Sequence, residues 1–215
     1  MTAVKIFFCV ASLTLFYAAF PAAASDAAGI TPETIGRLGI SKGADKLVIA
    51  VADGGPPVVV YAFERTGGSW SERVRANGFV GRNGVSRVKK EGDGKTPAGF
   101  FSFGAAFGVA DDPGSATPYA KLDDGDLWVD DPKSEHYNRW VKRGSTEQDW
   151  SSAEDLSKET VAYKYAIAIN YNTDPVVKGN GSAIFLHCST NSPTAGCVSV
   201  SEEDMARLLK FIDSG

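Results

Sequence analysis

From residue 46 onward, short β-branched apolar blocks alternate with polar or glycine-rich breaks. "KLVIAVAD" and "VVVYAFER" are two such blocks, separated by Gly54-Gly55-Pro56-Pro57. They predict two strands joined as a hairpin with a breaker-rich connection. "SWSERVRA" alternates less cleanly, "GFVGRNGV" predicts turns, and "GFFSFG" predicts a strand fed by the turn before it. Residues 105–160 are polar and irregular, a long excursion from the sheet of the kind that often serves as a lid or binding loop. The excursion holds three of the four tryptophans, Trp128, Trp140 and Trp150, so it is expected to pack down. Tyr163, Tyr165, Ile167, Ile169 and Tyr171 then alternate with Lys164, Ala166, Ala168 and Asn170, which predicts a half-buried strand. "SAIFLHC" and "CVSV" predict two more strands. At the end, Met205, Leu208, Leu209 and Ile212 recur at helical spacing behind Ser201, an N-cap candidate with Asp204 at N3. The pattern predicts a mainly β fold with a helix or two, of α+β class.

The first 25 residues differ. Lys5 precedes an apolar run, "IFFCVASLTLFYAAF", that Pro21 ends, and Ala22 and Ala24 supply small residues at A-x-A spacing. This is the pattern of a secretory signal peptide cut near Ala24–Asp26. The run is shorter than the roughly 18 apolar residues that a membrane anchor needs. The expected organisation is a signal peptide over 1–25, a short lead-in over 26–45 with Thr31 as an N-cap candidate, and one domain over 46–215. No membrane association is expected after cleavage, and the expected location is the periplasm or cell envelope.

With 43% hydrophobic and 22% charged residues, the chain suits one globular domain with a real core. Its formal charge of −4 becomes −5 when Lys5 leaves with the leader, and no basic face for nucleic acid is evident. The longest basic run, Arg87-Val88-Lys89-Lys90, reads as a solvated loop. Gly94-Lys95-Thr96 invites a phosphate-loop reading. That pattern requires a glycine five positions before Gly94, where Lys89 stands.

Candidate chemistry gathers in "FLHCSTNSPTAGCVSV". His187 ends one predicted strand, Cys197 opens the next, and turn formers lie between them. A base on one strand end and a thiol on the neighbouring strand start can form a nucleophilic pair. Gly196 lets the backbone approach a ligand closely, and the amides of Ala195, Gly196 and Cys197 can face the oxygen of a tetrahedral intermediate. An exported compartment also permits a Cys188–Cys197 disulfide. Side-chain alternation makes that bridge and the Cys197–His187 pair competing geometries, and it disfavours a zinc site at His187, Cys188 and Cys197.

The ordered set "GDGKTPAGFFSF", "WVDDPKSEHYN" and "IFLHCSTNSPTAGCVSV" resembles the L,D-transpeptidase (YkuD-like) catalytic domain over roughly residues 45–213. The resemblance implies a β-sandwich-like domain with a long capping excursion. It places the family's His and its Ser/Thr-x-Gly-Cys at His187, Thr194, Gly196 and Cys197. The chain departs from many members at Ala195, where they carry histidine, and at Ser199, where they carry arginine or asparagine. The implied chemistry is attack by Cys197 on a peptidoglycan tetrapeptide stem, with His187 as base, Gly196, Cys197 and Ala195 amides at the oxyanion, and no cofactor or metal. Resolution by an amine makes a crosslink, and resolution by water makes an L,D-carboxypeptidase. Tyr137, Asn138 and Thr194 are implied substrate contacts. His136 is expected to be exposed, and Ser189, Asn170 or a backbone carbonyl to orient the imidazole. The reading from a different class is a non-catalytic, disulfide-stapled module that binds cell wall.

Overall fold

The computed structural model describes residues 6–12, 30–37 and 44–213. The leader's cleavage region at Ala24–Asp26 and most of the 26–45 lead-in lie outside the described residues. The strands, in chain order, are β1 (Ile6–Ser12), β2 (Lys46–Ala52), β3 (Pro57–Thr66), β4 (Ser69–Phe79), β5 (Val85–Ser86), β6 (Thr96–Pro97), β7 (Gly99–Phe101) and β8 (Phe103–Gly108). There follow β9 (Tyr119–Lys121), β10 (Asp126–Val129), β11 (Trp140–Lys142), β12 (Ala153–Asp155), β13 (Ala166–Ile169), β14 (Phe185–Cys188) and β15 (Val198–Val200). Two helices, α1 (Pro32–Arg37) and α2 (Glu202–Phe211), complete the set, with a 3-10 turn at Ala162–Lys164.

Ten strands form one mixed sheet in the order β7-β1-β2-β3-β4-β15-β14-β13-β8-β9. The predicted hairpin is present: β2 and β3 pair antiparallel from Lys46↔Glu64 to Ala52↔Val58. The two halves of the sheet share one core. Val48, Val60 and Val74 from one half meet Ile167, Leu186 and Val198 from the other, together with Met205, Leu208 and Leu209 of α2. This is the sandwich-like, mainly β architecture expected from the sequence. Gly78 sets the approach between the halves: a Cβ there would stand 1.7 Å from the Ser199 carbonyl oxygen. The Ser201 hydroxyl accepts the Asp204 amide at 3.1 Å and caps α2, and Thr31 does the same for Thr34 at the start of α1.

Each half has an outer face with its own cover. Leu47, Ile49, Tyr61 and Phe63 pack against Ile30 and Ile35 of the α1 segment. The other half is covered by the excursion, which is more regular than its sequence suggests. It folds into a three-stranded sheet, β11-β10-β12, with a small core of Leu127, Val129, Val141 and Trp150. Its Trp128 and Trp140 pack down on Phe185 and Phe107 respectively.

The cover corrects the reading of residues 163–171. Tyr165, Ile167, Ile169 and Tyr171 belong to the shared core, as the alternation predicts. Ala166 and Ala168 are also buried, under the cap, so β13 is covered on both faces. Tyr163 departs from the pattern because the 3-10 turn breaks the period before β13 begins. Its side chain joins the alanines on the capped face.

The apolar run at the N-terminus enters the sheet as β1, parallel to β2 and antiparallel to β7. Among the described residues, no helix is long and apolar enough to cross a membrane.

Candidate active site

β14 and β15 lie parallel, with Leu186 opposite Val198, His187 opposite Ser199 and Cys188 opposite Val200. Alternation then sorts the side chains. Leu186, Cys188, Val198 and Val200 enter the shared core, whereas Phe185 and Cys197 pack under the cap. His187, one residue on from Leu186, lies on the capped face, with its ring edge-to-face on Tyr163 at 5.6 Å. His187 and Cys197 are thus brought to one face, and Cys188 points to the other. Both cysteines are free, so the stapled-loop expectation is not met, and the reason is the opposed directions of the two thiols. Among the described residues, no group of His, Cys, Asp or Glu is placed to hold a metal.

His187 Nδ1 lies 2.8 Å from the Cys188 carbonyl oxygen. A carbonyl only accepts, so Nδ1 carries the proton and Nε2 presents a lone pair. Of the three orienting groups open from the sequence, the backbone carbonyl fills the role. Asn170 is engaged elsewhere, with Ser102 and Phe103. Burial lowers the imidazole to about 4, so the ring is neutral.

The Cys197 thiol is also buried and neutral, and burial, with Glu154 nearby, pushes it up to about 12. Its Sγ donates to the Ala183 carbonyl at 3.3 Å and accepts the Phe185 amide at 3.4 Å. No hydrogen bond joins it to His187 among the described residues. The resting pair is therefore a neutral thiol and a neutral imidazole, not a thiolate–imidazolium ion pair.

The turn before Cys197 is fixed through its carbonyl. The Thr194 hydroxyl donates to Cys197 O at 2.7 Å, and the Thr96 hydroxyl donates to the same oxygen at 3.1 Å. Thr194 also accepts the Gly196 amide at 3.1 Å. Gly196 is thus occupied, and the Ala195 and Cys197 amides are the ones without a protein acceptor among the described residues. Gly196 is tightly packed: a Cβ there would lie 3.1 Å from the Lys95 carbonyl and 3.5 Å from Lys89 Nζ.

Tyr137 and Asn138 are buried and bracket the cap to the loop that precedes β14. The Tyr137 hydroxyl donates to Glu91 and accepts the Gly181 amide at 3.0 Å. Asn138, in the left-handed region at φ 58°, accepts from Trp128 Nε1 and from the Ala183 amide, and donates to the Tyr171 and Asn172 carbonyls. The carbonyl of that same Ala183 holds the thiol. His136, expected to be exposed, is half-buried with its ring edge-to-face on Trp150.

Besides Thr96, three residues at the site escaped the sequence reading. Lys89 is not solvated: its ammonium is buried behind Gly196 and pairs with Asp93 at 2.9 Å. Its neighbours Arg87 and Lys90 are exposed, and nothing in the run distinguishes the buried lysine. Tyr163 and Glu154 are joined by a hydrogen bond of 2.5 Å over the capped face. Neither carries a motif signal.

The family model of the L,D-transpeptidase catalytic domain matches residues 40–215. The chain belongs to the L,D-transpeptidase catalytic domain family. That match covers every strand of the sheet but β1, together with the cap and both members of the Cys197–His187 pair. No curated protein and no solved structure gives a significant match to the chain.

Proposed function

We propose that this chain is an exported cysteine L,D-transpeptidase acting on peptidoglycan tetrapeptide stems. The observation that carries the reading is that His187 on β14 and Cys197, just before the parallel strand β15, lie on one face, with Nδ1 tied to Cys188 O and Nε2 without a hydrogen bond among the described residues. Rotation of the thiol away from Ala183 O brings its proton toward Nε2. Sulfur attacks the carbonyl of the third, L-centre residue, His187 takes the proton, and the amides of Cys197 and Ala195 receive the oxyanion. The bond to the terminal D-residue breaks as His187 protonates the leaving amine, and a thioester remains. An amine from a second stem gives a 3→3 crosslink, and water gives a trimmed tripeptide. Thr194 acts here as a brace for the turn.

The test is mass spectrometry of a disaccharide-tetrapeptide treated with the wild type, Cys197→Ala and Cys188→Ala. Loss of the terminal D-residue in the wild type and Cys188→Ala, and not in Cys197→Ala, is the expected result. Full activity in Cys197→Ala would sink the reading. A crosslinked dimer identifies a transpeptidase and a bare tripeptide a carboxypeptidase.

Export through a leader at 1–25 belongs to the same reading. Cleavage near Ala24–Asp26 removes β1 and leaves β2 and β7 without their shared neighbour. N-terminal sequencing of protein recovered from the envelope checks it: an intact Met1 would refute cleavage.

A further inference from the structure

The cap brings to the reactive face a carboxylate that the acylation step does not use. Glu154 on β12 stands opposite Trp128 and accepts the Tyr163 hydroxyl at 2.5 Å. Tyr163 sets its ring edge-to-face on His187 at 5.6 Å and on Phe185 at 5.5 Å. The Phe185 amide in turn donates to the Cys197 thiol. One oxygen of Glu154 is fixed in this way, and the residue is only partly covered. The titratable groups around it are Tyr163, Glu159 ahead of the 3-10 turn, Asp130 just past β10, and Cys197 itself. Among the described residues, no lysine or arginine pairs with Glu154, Asp130 or Glu159. Among the described residues, Asp130 Oδ1 and the Ser199 hydroxyl, which lies beside His187 on β15, are buried with no hydrogen-bond partner.

Negative charge in this place opposes ionisation of the thiol, so it hinders the first half-reaction. That cost disappears once the sulfur is acylated and can no longer ionise. The group that must approach next is an amine, which arrives in water as an ammonium and attacks only as the free base.

We propose that Glu154, held by Tyr163, is the subsite for the ammonium group of the acyl acceptor and takes its first proton. The inference rests on the thioester reading of Cys197 and assigns the residue that receives the acceptor's ammonium group. The ammonium gives one proton to the Glu154 carboxylate, and its nitrogen bonds to the thioester carbon. The carbon–sulfur bond breaks, and a second proton passes from nitrogen through His187 Nε2 to the leaving sulfur. The thiol is restored, an amide is formed, and Glu154 releases its proton to water. Burial, with Glu159 and Asp130 nearby, raises Glu154 to about 7, so acid and carboxylate are both populated at neutral pH. That suits a group that gains and loses a proton in each turnover.

The test compares the full chain with Glu154→Gln and Tyr163→Phe. A disaccharide-tetrapeptide donor is offered glycinamide, which is cationic, or hydroxylamine, which is neutral, and adducts are counted against hydrolysed tripeptide. In parallel, iodoacetamide labelling of the Cys197 peptide is followed against pH, a readout that needs no turnover. Glu154→Gln is expected to lower the glycinamide-to-water ratio by about tenfold, with the hydroxylamine ratio moving far less, and to speed labelling of Cys197. Tyr163→Phe, which keeps the ring and frees the carboxylate, should lower the glycinamide ratio less. Equal losses for both nucleophiles, or no loss, would overturn the proposal. If the wild type forms no thioester, the catalytic reading fails separately. The labelling arm then still decides whether the charge acts at the thiol, and an unchanged rate in Glu154→Gln overturns it.

Discussion

The Thr96 hydroxyl reaches across 101 residues to donate to the Cys197 carbonyl, and it accepts the Gly81 amide at 2.8 Å. A fully buried side chain from β6 therefore fixes the backbone of the nucleophile. Thr96→Val keeps the shape and removes both bonds, leaving Gly81 N–H buried without its partner. The expected cost is about 1–3 kcal/mol in denaturant unfolding. Labelling of Cys197 should also become faster, because the turn that buries it loosens. Thr96→Ser, which keeps the hydroxyl, should recover most of the stability, and equal losses in the two variants would contradict this account.

The neutral resting pair makes its own prediction. A thiol held at about 12 reacts slowly at neutral pH, and its labelling should keep rising above the free-thiol value of about 8.5. A thiolate–imidazolium pair would instead draw the titration below that value. The proton moves to His187 during attack and not before it. An alkylation profile that levels off below about pH 7 would restore the ion pair.

Two groups, the buried His187 and the partly covered Glu154, tilt stability with pH in opposite senses. His187 falls from 6.5 to about 4 on folding, so the unfolded chain binds the extra proton between those values and stability drops as pH falls through them. Glu154 rises from 4.5 to about 7, so the folded chain binds the extra proton and stability drops as pH rises through that window. The windows overlap and the slopes oppose, each at most about 1.4 kcal/mol per pH unit. Glu154→Gln should therefore make the protein more sensitive to acid between about pH 4 and 6.5. His187→Asn should make it lose stability as pH rises toward about 7. Urea unfolding at a series of pH values reads both signs, and parallel profiles for the three proteins would refute the assignment.

Much of this site could be read from the sequence, because its geometry follows from strand alternation. His187 and Cys188 are adjacent, so only one of them can face Cys197, and the period of two is local. The hairpin, α2 and the alternation of 165–171 were legible for the same reason. What could not be read depends on contacts distant along the chain. Lys89 and Thr96 look like ordinary turn residues in the sequence until the 189–196 loop packs beside them, next to a bridge between Gly81 and Thr194. Tyr163 matched the strand period and took the other face, because a 3-10 turn ends just before β13. Glu154 meets the site only through the capping sheet, whose polar sequence carries no strong strand signal.

Asn138 shows how the cap and the nucleophile are joined. Its amide makes four hydrogen bonds, to Trp128 of the cap, to Tyr171 and Asn172 beyond β13, and to the Ala183 amide. The Ala183 carbonyl accepts the Cys197 thiol. Its φ of 58° is a conformation that asparagine tolerates better than alanine does. Asn138→Ala removes all four bonds and adds backbone strain, with an expected loss of about 2–4 kcal/mol. Asn138→Gly loses the same bonds and relieves the strain, so it should be the less damaged of the two. If the bracket works as described, both variants should open the cap to limited proteolysis between residues 122 and 156 before the sheet unfolds, and both should raise the labelling rate of Cys197. Global unfolding with no early cleavage in the cap would show that Asn138 supports the whole fold and does not dock the cap on the reactive face.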